Sequence, residues 1–334
     1  MGYPMSFARS IKKNWFFWGL FGTLICGILL PGLGKTLNPG GYTIKTIVFV
    51  LFLVTGFILP SEQIKSGLKS YKLHVFLQLF IFGFIPLYFF LTARFFSGYL
   101  NGGLAIGFYA LAVLPTTIST CVVFTQTTGG NSVGAIFNSA FSNVAGIFVS
   151  PLLLSLFLSG AGSALPLKEI LPIVRSLVIT MLLPLLLGQY LRRGHTAVAD
   201  RNRKRFSDGS SALILLIVFI TISTTAANQG FLGMLLQLAI PFSFLAASHL
   251  FFILVLYQGS RFLKFSREDR ICAVFVGPQK TIAMGVPLLS VFFSSRPDLL
   301  ALAVVPLLFY HPFQLFIAGI ARSRMNRGGL IDER

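Results

Sequence analysis

Val274-Phe275-Val276-Gly277-Pro278-Gln279-Lys280-Thr281-Ile282-Ala283-Met284-Gly285 sets a lysine in the middle of a segment otherwise apolar enough to lie in a bilayer. A charge at the centre of a membrane helix costs at least about 2.5–3.5 kcal/mol, so such residues usually face a cavity or a protein interior and carry a function. Gly277-Pro278, just before the lysine, removes an amide N–H and disfavours helical backbone. Irregular backbone at that depth survives only where protein or water surrounds it. The segment reads as a membrane-spanning helix broken near its middle, with Lys280 at the break.

The rest of the chain supports that setting. Of 334 residues, 55% are hydrophobic, 36 are Phe and only 11% are charged, against about 25% charged in soluble domains. Apolar runs of roughly 17 to 27 residues recur along the whole length, each long enough to cross about 30 Å of hydrocarbon. No soluble domain fits between them. The expectation is an all-α polytopic membrane protein with the lipid bilayer as its surroundings. Its net charge of +18 sits between the spans, which argues against a nucleic-acid partner. Cys26, Cys121 and Cys272 are odd in number and lie in apolar runs; they read as packing residues, with neither a disulfide framework nor a metal spacing. The first apolar run, after Arg9, Lys12 and Lys13, exceeds signal-peptide length and lacks a convincing cleavage site, so it is expected to be retained.

Ten spans are expected, at about 15–34, 43–60, 74–93, 103–128, 132–158, 170–191, 211–228, 232–257, 271–293 and 299–320. The fourth is interrupted at Pro115-Thr116-Thr117 and resumes from Ile118 to Thr128. Gly129-Gly130-Asn131 then turns into the fifth. The small, flexible loop from Ser159 to Pro166 falls near the midpoint and divides the chain into halves, 1–162 and 163–334, within a single membrane domain. Ten spans leave both termini on one side. With the amino terminus cytoplasmic, the inner side holds twenty Lys and Arg, among them the linker residues Lys65, Lys69 and Lys72 and the cluster Arg192, Arg193, Arg201, Arg203, Lys204 and Arg205. The outer side and its approaches hold six: Lys35, Lys45, Arg94, Lys168, Arg175 and Arg296. That positive-inside bias places both termini in the cytoplasm of a multi-pass cell-membrane protein.

The two breaks correspond. Pro115-Thr116-Thr117-Ile118 in the fourth span and Pro278-Gln279-Lys280-Thr281-Ile282 in the ninth lie 163 residues and five spans apart. Five is odd, so the second half enters the membrane from the opposite side and any repeat is inverted. Matched broken helices in inverted halves point to a transporter's binding site near the midplane.

At such a break, freed backbone groups and half-helix dipoles face a shared space where an ion or an anionic group can sit. The polar side chains nearby are Thr116, Thr117, Ser119, Thr120, Thr125 and Gln126, then Asn138 and Ser139 from the fifth span, and Gln279, Lys280 and Thr281 from the ninth. Their oxygens suit Na⁺ and their donors suit carboxylate or phosphate. Any single Ser or Thr could equally bond its own helix backbone. All nine acidic residues map to loops, tails or span ends, so Lys280 has no intramembrane carboxylate partner. It could bind an anionic solute, occupy the place of a cation, or bond carbonyls freed by the break. His311, beside a further expected proline break at Pro312 in Phe309-Tyr310-His311-Pro312-Phe313-Gln314, is a second candidate for the pathway, and His249 a third. No hydrolase, nucleotide-binding or dinucleotide-binding pattern appears in a suitable context, and an enzyme is not expected.

Leu114-Pro115-Thr116-Thr117-Ile118-Ser119-Thr120-Cys121-Val122-Val123-Phe124-Thr125-Gln126-Thr127-Thr128-Gly129-Gly130-Asn131, continuing through Ala135-Ile136-Phe137-Asn138-Ser139, together with Gly277-Pro278-Gln279-Lys280-Thr281-Ile282-Ala283-Met284-Gly285-Val286-Pro287, resembles the bile acid:sodium symporter family. The closer likeness is to its sodium/bile acid cotransporter 7-like branch, over nearly the whole chain. The resemblance implies ten helices in two inverted five-helix repeats, with spans 1, 2, 6 and 7 forming a panel domain. Spans 3, 4, 5, 8, 9 and 10 form a core in which broken helices 4 and 9 cross. It also places Ser119, Thr120, Ser139 and Gln279 near sodium-ligand positions. Where typical symporters carry a sodium-binding glutamate in a Glu-x-Gly-x-Gln-type motif, this chain has Phe275, with Gln279 at the glutamine and Lys280 following. Bile acid is not carried over as the substrate.

The expectation for function is a symporter-like secondary carrier of a small organic, anionic solute, working by alternating access. Na⁺ is retained as a coupling ion, with H⁺ or no coupling beside it; no other cofactor and no protein partner is implied. The alternative is a membrane regulatory or scaffolding protein on a transporter fold that affects ion homeostasis indirectly.

Overall fold

A computed structural model describes residues 15–60, 70–96, 102–160, 167–226, 238–293 and 297–326. The amino-terminal basic residues up to Lys13, the linker lysines Lys65 and Lys69, most of the midpoint loop, the start expected for the eighth span, Arg296, and the tail from residue 327 lie outside the described residues. The described residues form helices, turns and short connections, as expected in lipid, where backbone N–H and C=O groups must pair within the chain.

In chain order the helices are α1 (Trp15–Leu29), the short α2 (Leu33–Leu37), α3 (Tyr42–Ile58), α4 (71–96), α5 (Gly102–Val113), α6 (Ser119–Thr127) and α7 (Ser132–Gly160). They continue with α8 (167–194), α9 (Thr196–Arg201), α10 (Arg203–Ala226), α11 (Ala239–Phe262), α12 (Arg267–Val276), α13 (Ile282–Phe292) and α14 (Pro297–Asn326). Seven of them, α3, α4, α7, α8, α10, α11 and α14, are long and apolar enough to cross a membrane, and α1 and α5 contain shorter apolar helices. The chain is thus a multi-pass helical membrane protein. Both expected breaks are present: helix stops at Val113 and resumes at Ser119, then stops at Val276 and resumes at Ile282.

Four expectations are corrected. The first span closes at Leu29, because Gly32 turns in the left-handed region (φ 86°) before the separate α2. The seventh begins at Arg203, about two turns before residue 211, because Arg203, Lys204 and Arg205 extend the helix beyond its apolar part. Pro312 produces no break like those at Pro115 and Pro278, since α14 runs through both Pro306 and Pro312; a single missing N–H is tolerated where neighbouring helices re-satisfy the freed carbonyl. Cys26 is exposed and packs nothing inside, whereas Cys121 and Cys272 are buried.

Two groups of helices arise from packing. In the first, α1 lies along α10 and α3 packs against α8 and α10. Small residues set the α3–α8 distance: a Cβ on Gly56 would lie 2.1 Å from the Leu185 carbonyl oxygen, and one on Gly188 would lie 2.1 Å from that of Leu53. Such small-residue contacts let membrane helices approach backbone to backbone. Arg192 fixes one end of this group by pairing with Asp200 at 2.7 Å and donating to the Phe57 carbonyl.

In the second group, α5 packs on α14, α4 and α7, while α12 packs on α11, α6 and α7. An aromatic cluster joins α4, α5 and α11, with Tyr88, Phe89, Phe108, Phe244 and the fully buried Phe252 in edge or stacked contact. Contacts from α13 to α3 and α8, and from α10 to α14, join the two groups.

Candidate functional site

The site is built from two proline breaks. Pro115 cannot donate to the Leu111 carbonyl, which instead takes the Leu114 N–H in a tighter turn, and the chain runs unwound to Ile118. Gly277 ends α12 with a last helical bond to Ala273, and Pro278 stops it there. The two unwound segments meet and bond reciprocally: Thr116 Oγ1 donates to the Val276 carbonyl at 2.6 Å, and the Thr281 N–H donates to the Pro115 carbonyl at 3.1 Å.

Most carbonyls along this crossing are taken by side chains from neighbouring helices. Ser150 donates to Val113 O at 2.7 Å and Asn143 to Thr116 O at 2.8 Å, both from α7. Cys121 Sγ approaches Phe275 O at 3.3 Å, and Tyr310 of α14 donates to Pro278 O at 2.8 Å. Gln314 clamps Lys280 as a peptide group would: its Oε1 accepts the Lys280 N–H at 2.7 Å and its Nε2 donates to the Lys280 carbonyl at 2.9 Å. Buried backbone groups left unpaired each cost about 1–3 kcal/mol, which is the physical reason for so many polar side chains here.

Lys280 is 2% exposed, and its ammonium group points at three carbonyls: Leu114 at 2.7 Å, Ala112 at 3.0 Å and Ile81 at 3.4 Å. No Asp or Glu pairs with it among the described residues, where the one ion pair joins Arg192 and Asp200. Beside it, Gln279 Oε1 accepts from both Thr117 and Thr120 at 2.7 Å. The two threonine hydroxyls also touch each other, and Gln279 Nε2 has no partner among the described residues. Ser139 is fully buried beside the Cys121 thiol. Thr117, Thr120 and Gln279 thus converge as a compact group of oxygens, with Ser139 close by.

Other expected residues lie elsewhere. Ser119 opens α6 with its side chain exposed, and Gln126 is exposed near the turn at Gly129. Asn138, fully buried, joins α7 to α4, donating to His74 at 2.9 Å and accepting from Gln78 at 3.1 Å. His311 sits beside the clamp: Gln314 Nε2 donates to its Nδ1 at 2.9 Å, and its ring meets Phe16 of α1 edge-on. It therefore faces the seam between the two helix groups. His249 is held by Tyr310 at 2.9 Å; since that hydroxyl donates to Pro278, the histidine Nδ1 acts as donor. Asn131 caps α7 through the Gly134 N–H and reaches Asp269 at 2.7 Å, anchoring the turn to α12.

Gln314, Asn143, Ser150 and Tyr310 were not singled out as site residues from the sequence. Each is an ordinary polar residue within an apolar run, which is a weak signal by itself.

A cavity of about 470 Å³ opens where the α2–α3 turn, α8 and α10 face α13 and α14. Lys35, Asn38, Lys45, Thr180, Thr221 and Ser290 give it polar walls, and none of its lining residues is acidic. Two ammonium groups and several hydroxyls, without a carboxylate, suit an anion.

Comparison with known proteins points to a transporter family. Residues 14–327 match the SBF-like CPA transporter family. The chain is 32% identical to the sodium/bile acid cotransporter 7 of Danio rerio, over 95% of this chain and 94% of the relative. It is 30% identical to the protein of that name from Rattus norvegicus, over 95% and 93%, and 29% identical to an uncharacterized protein of Pseudomonas aeruginosa, over 97% and 96%.

Proposed function

Because the chain belongs to the SBF-like CPA transporter family, we propose that it is a secondary carrier moving a small organic anion across the cell membrane by alternating access. One observation carries this reading: two helices broken 163 residues apart meet at their unwound segments amid polar side chains. That is how many carriers build a mid-membrane binding site. Counting α5–α6 and α12–α13 as one broken span each, with α1 and the seven longer spans, makes ten spans, which we read as two inverted repeats, 1–162 and 163–334. The α1, α3, α8 and α10 group is then the panel, and the remaining spans are the core that moves against it. The excess of Lys and Arg between alternate spans favours both termini in the cytoplasm.

The solute binds in the cavity between the two groups, where Lys35 and Lys45 supply the positive charge. Coupling ions have distinct places. Na⁺ has the oxygens of Thr117, Thr120 and Gln279 with Ser139 nearby, a set that replaces Ser119 of the sequence expectation with Thr117. A proton has His311, at the seam beside the Gln314 clamp.

Uptake of a panel of labelled organic anions into proteoliposomes, with and without Na⁺ and pH gradients, tests the proposal. Saturable uptake of at least one anion is expected, with a several-fold higher KM after Lys35→Gln and Lys45→Gln are combined. Absence of uptake for every anion in every gradient would leave the regulatory or scaffolding reading in its place.

A further inference from the structure

We propose that the meeting point of the breaks is a monovalent-cation site which the protein fills with its own Lys280 ammonium group. Two local faults free the three carbonyls around that nitrogen. In α4 a π turn spans Phe80–Phe84, and the Ile85 N–H bonds Phe80 O five residues back. The next bond in that register would run from residue 86 to Ile81 O, but residue 86 is proline and has no N–H. Ala112 O and Leu114 O lie at the end of α5, where the break at Pro115 removes their helical partners. The three oxygens lie 2.7, 3.0 and 3.4 Å from Lys280 Nζ, and an ammonium has three N–H donors to give them.

Converging backbone carbonyls in an apolar interior form the kind of cage that holds a dissolved cation in a channel filter. Here the cation is covalently attached, so the cage stays filled at any salt composition. The site has no carboxylate pairing among the described residues, and the carbonyl dipoles provide its negative potential. It stands whether or not the chain carries an anion.

Lys280→Met is the informative variant, because methionine ends one heavy atom short of the lysine nitrogen and vacates little more than the ammonium position. Lys280→Ala removes a fragment the size of propylammonium. The full chain in lipid nanodiscs would be unfolded by heat in chloride salts of ammonium, n-propylammonium, potassium, sodium and choline. In choline, both variants are expected to unfold at a lower temperature than the native chain. Lys280→Met should regain at least half of its loss in ammonium with a saturable dose response, and Lys280→Ala should regain more in propylammonium than in ammonium. The native chain should respond alike to ammonium, n-propylammonium, potassium and choline. If Lys280→Met is recovered folded only when ammonium is present during purification, that recovery supports the site. The same unfolding temperature for Lys280→Met in every salt, or failure to recover it in any of them, would overturn the proposal.

Discussion

Gln314→Leu removes the clamp on Lys280 while nearly conserving volume, and its cost can be worked from the structure. Gln314 is fully buried and makes three bonds: from the Lys280 N–H at 2.7 Å, to the Lys280 carbonyl at 2.9 Å and to His311 Nδ1 at 2.9 Å. Leucine would leave the Lys280 N–H and the carbonyl's strongest contact unmet, at about 1–3 kcal/mol for each buried group, or about 2–6 kcal/mol together. Interhelical hydrogen bonds measured inside a membrane average only about 0.6 kcal/mol and reach about 1.7, because the unfolded chain in lipid also finds partners. Three bonds on that scale give about 2–5 kcal/mol, so the two routes overlap.

Gln314→Glu, with its carboxyl neutral, keeps an acceptor for the Lys280 N–H and one O–H donor in place of two N–H donors, and should fall between native and leucine. Unfolding by SDS in mixed micelles, followed through Trp15 and Trp18 fluorescence, measures the difference. Gln126→Leu, at an exposed glutamine, is the control and should move stability by no more than about 0.5 kcal/mol. If Gln314→Leu shifts it no further than this control, the clamp does not hold the break and the bond accounting is wrong.

Three other perturbations probe separate parts of the fold. Gly188→Ala would drive a methyl to 2.1 Å from Leu53 O and should cost about 1–3 kcal/mol or more as α3 and α8 separate; Gly194→Ala, with open space around it, should leave the same unfolding curve close to native. Combining Thr117→Val with Thr120→Val strips both donors from Gln279 Oε1, costing about 1–3 kcal/mol for the stranded acceptor. It should also abolish any Na⁺ stimulation of uptake, which the paired serine substitutions should preserve. Asn131→Ala loses the α7 cap and the Asp269 contact; the cap alone is worth about 1 kcal/mol, and a double-mutant cycle with Asp269→Ala should show coupling of at least about 0.5 kcal/mol.

Membrane class and both helix breaks were legible in the sequence because their causes are local. A run of apolar residues spans the bilayer by length alone, and a proline lacks its N–H wherever it is placed. The breaks at Pro115 and Pro278 therefore appeared within a residue or two of their expected positions. What meets at each break was decided by packing. Lys280 reaches Ile81, 199 residues away, because α4 brings its π turn to the crossing. Gln314 reaches Lys280 because α14 continues through Pro312 and presents that side chain two residues later. Ser119 and Thr120 are sequence neighbours, yet one is exposed and the other joins Gln279, since adjacent helical side chains point in different directions. Composition and proline placement thus determined that this chain crosses lipid and breaks twice. Only the tertiary structure decided which groups close the breaks, because a freed carbonyl takes the donor that packing brings within reach.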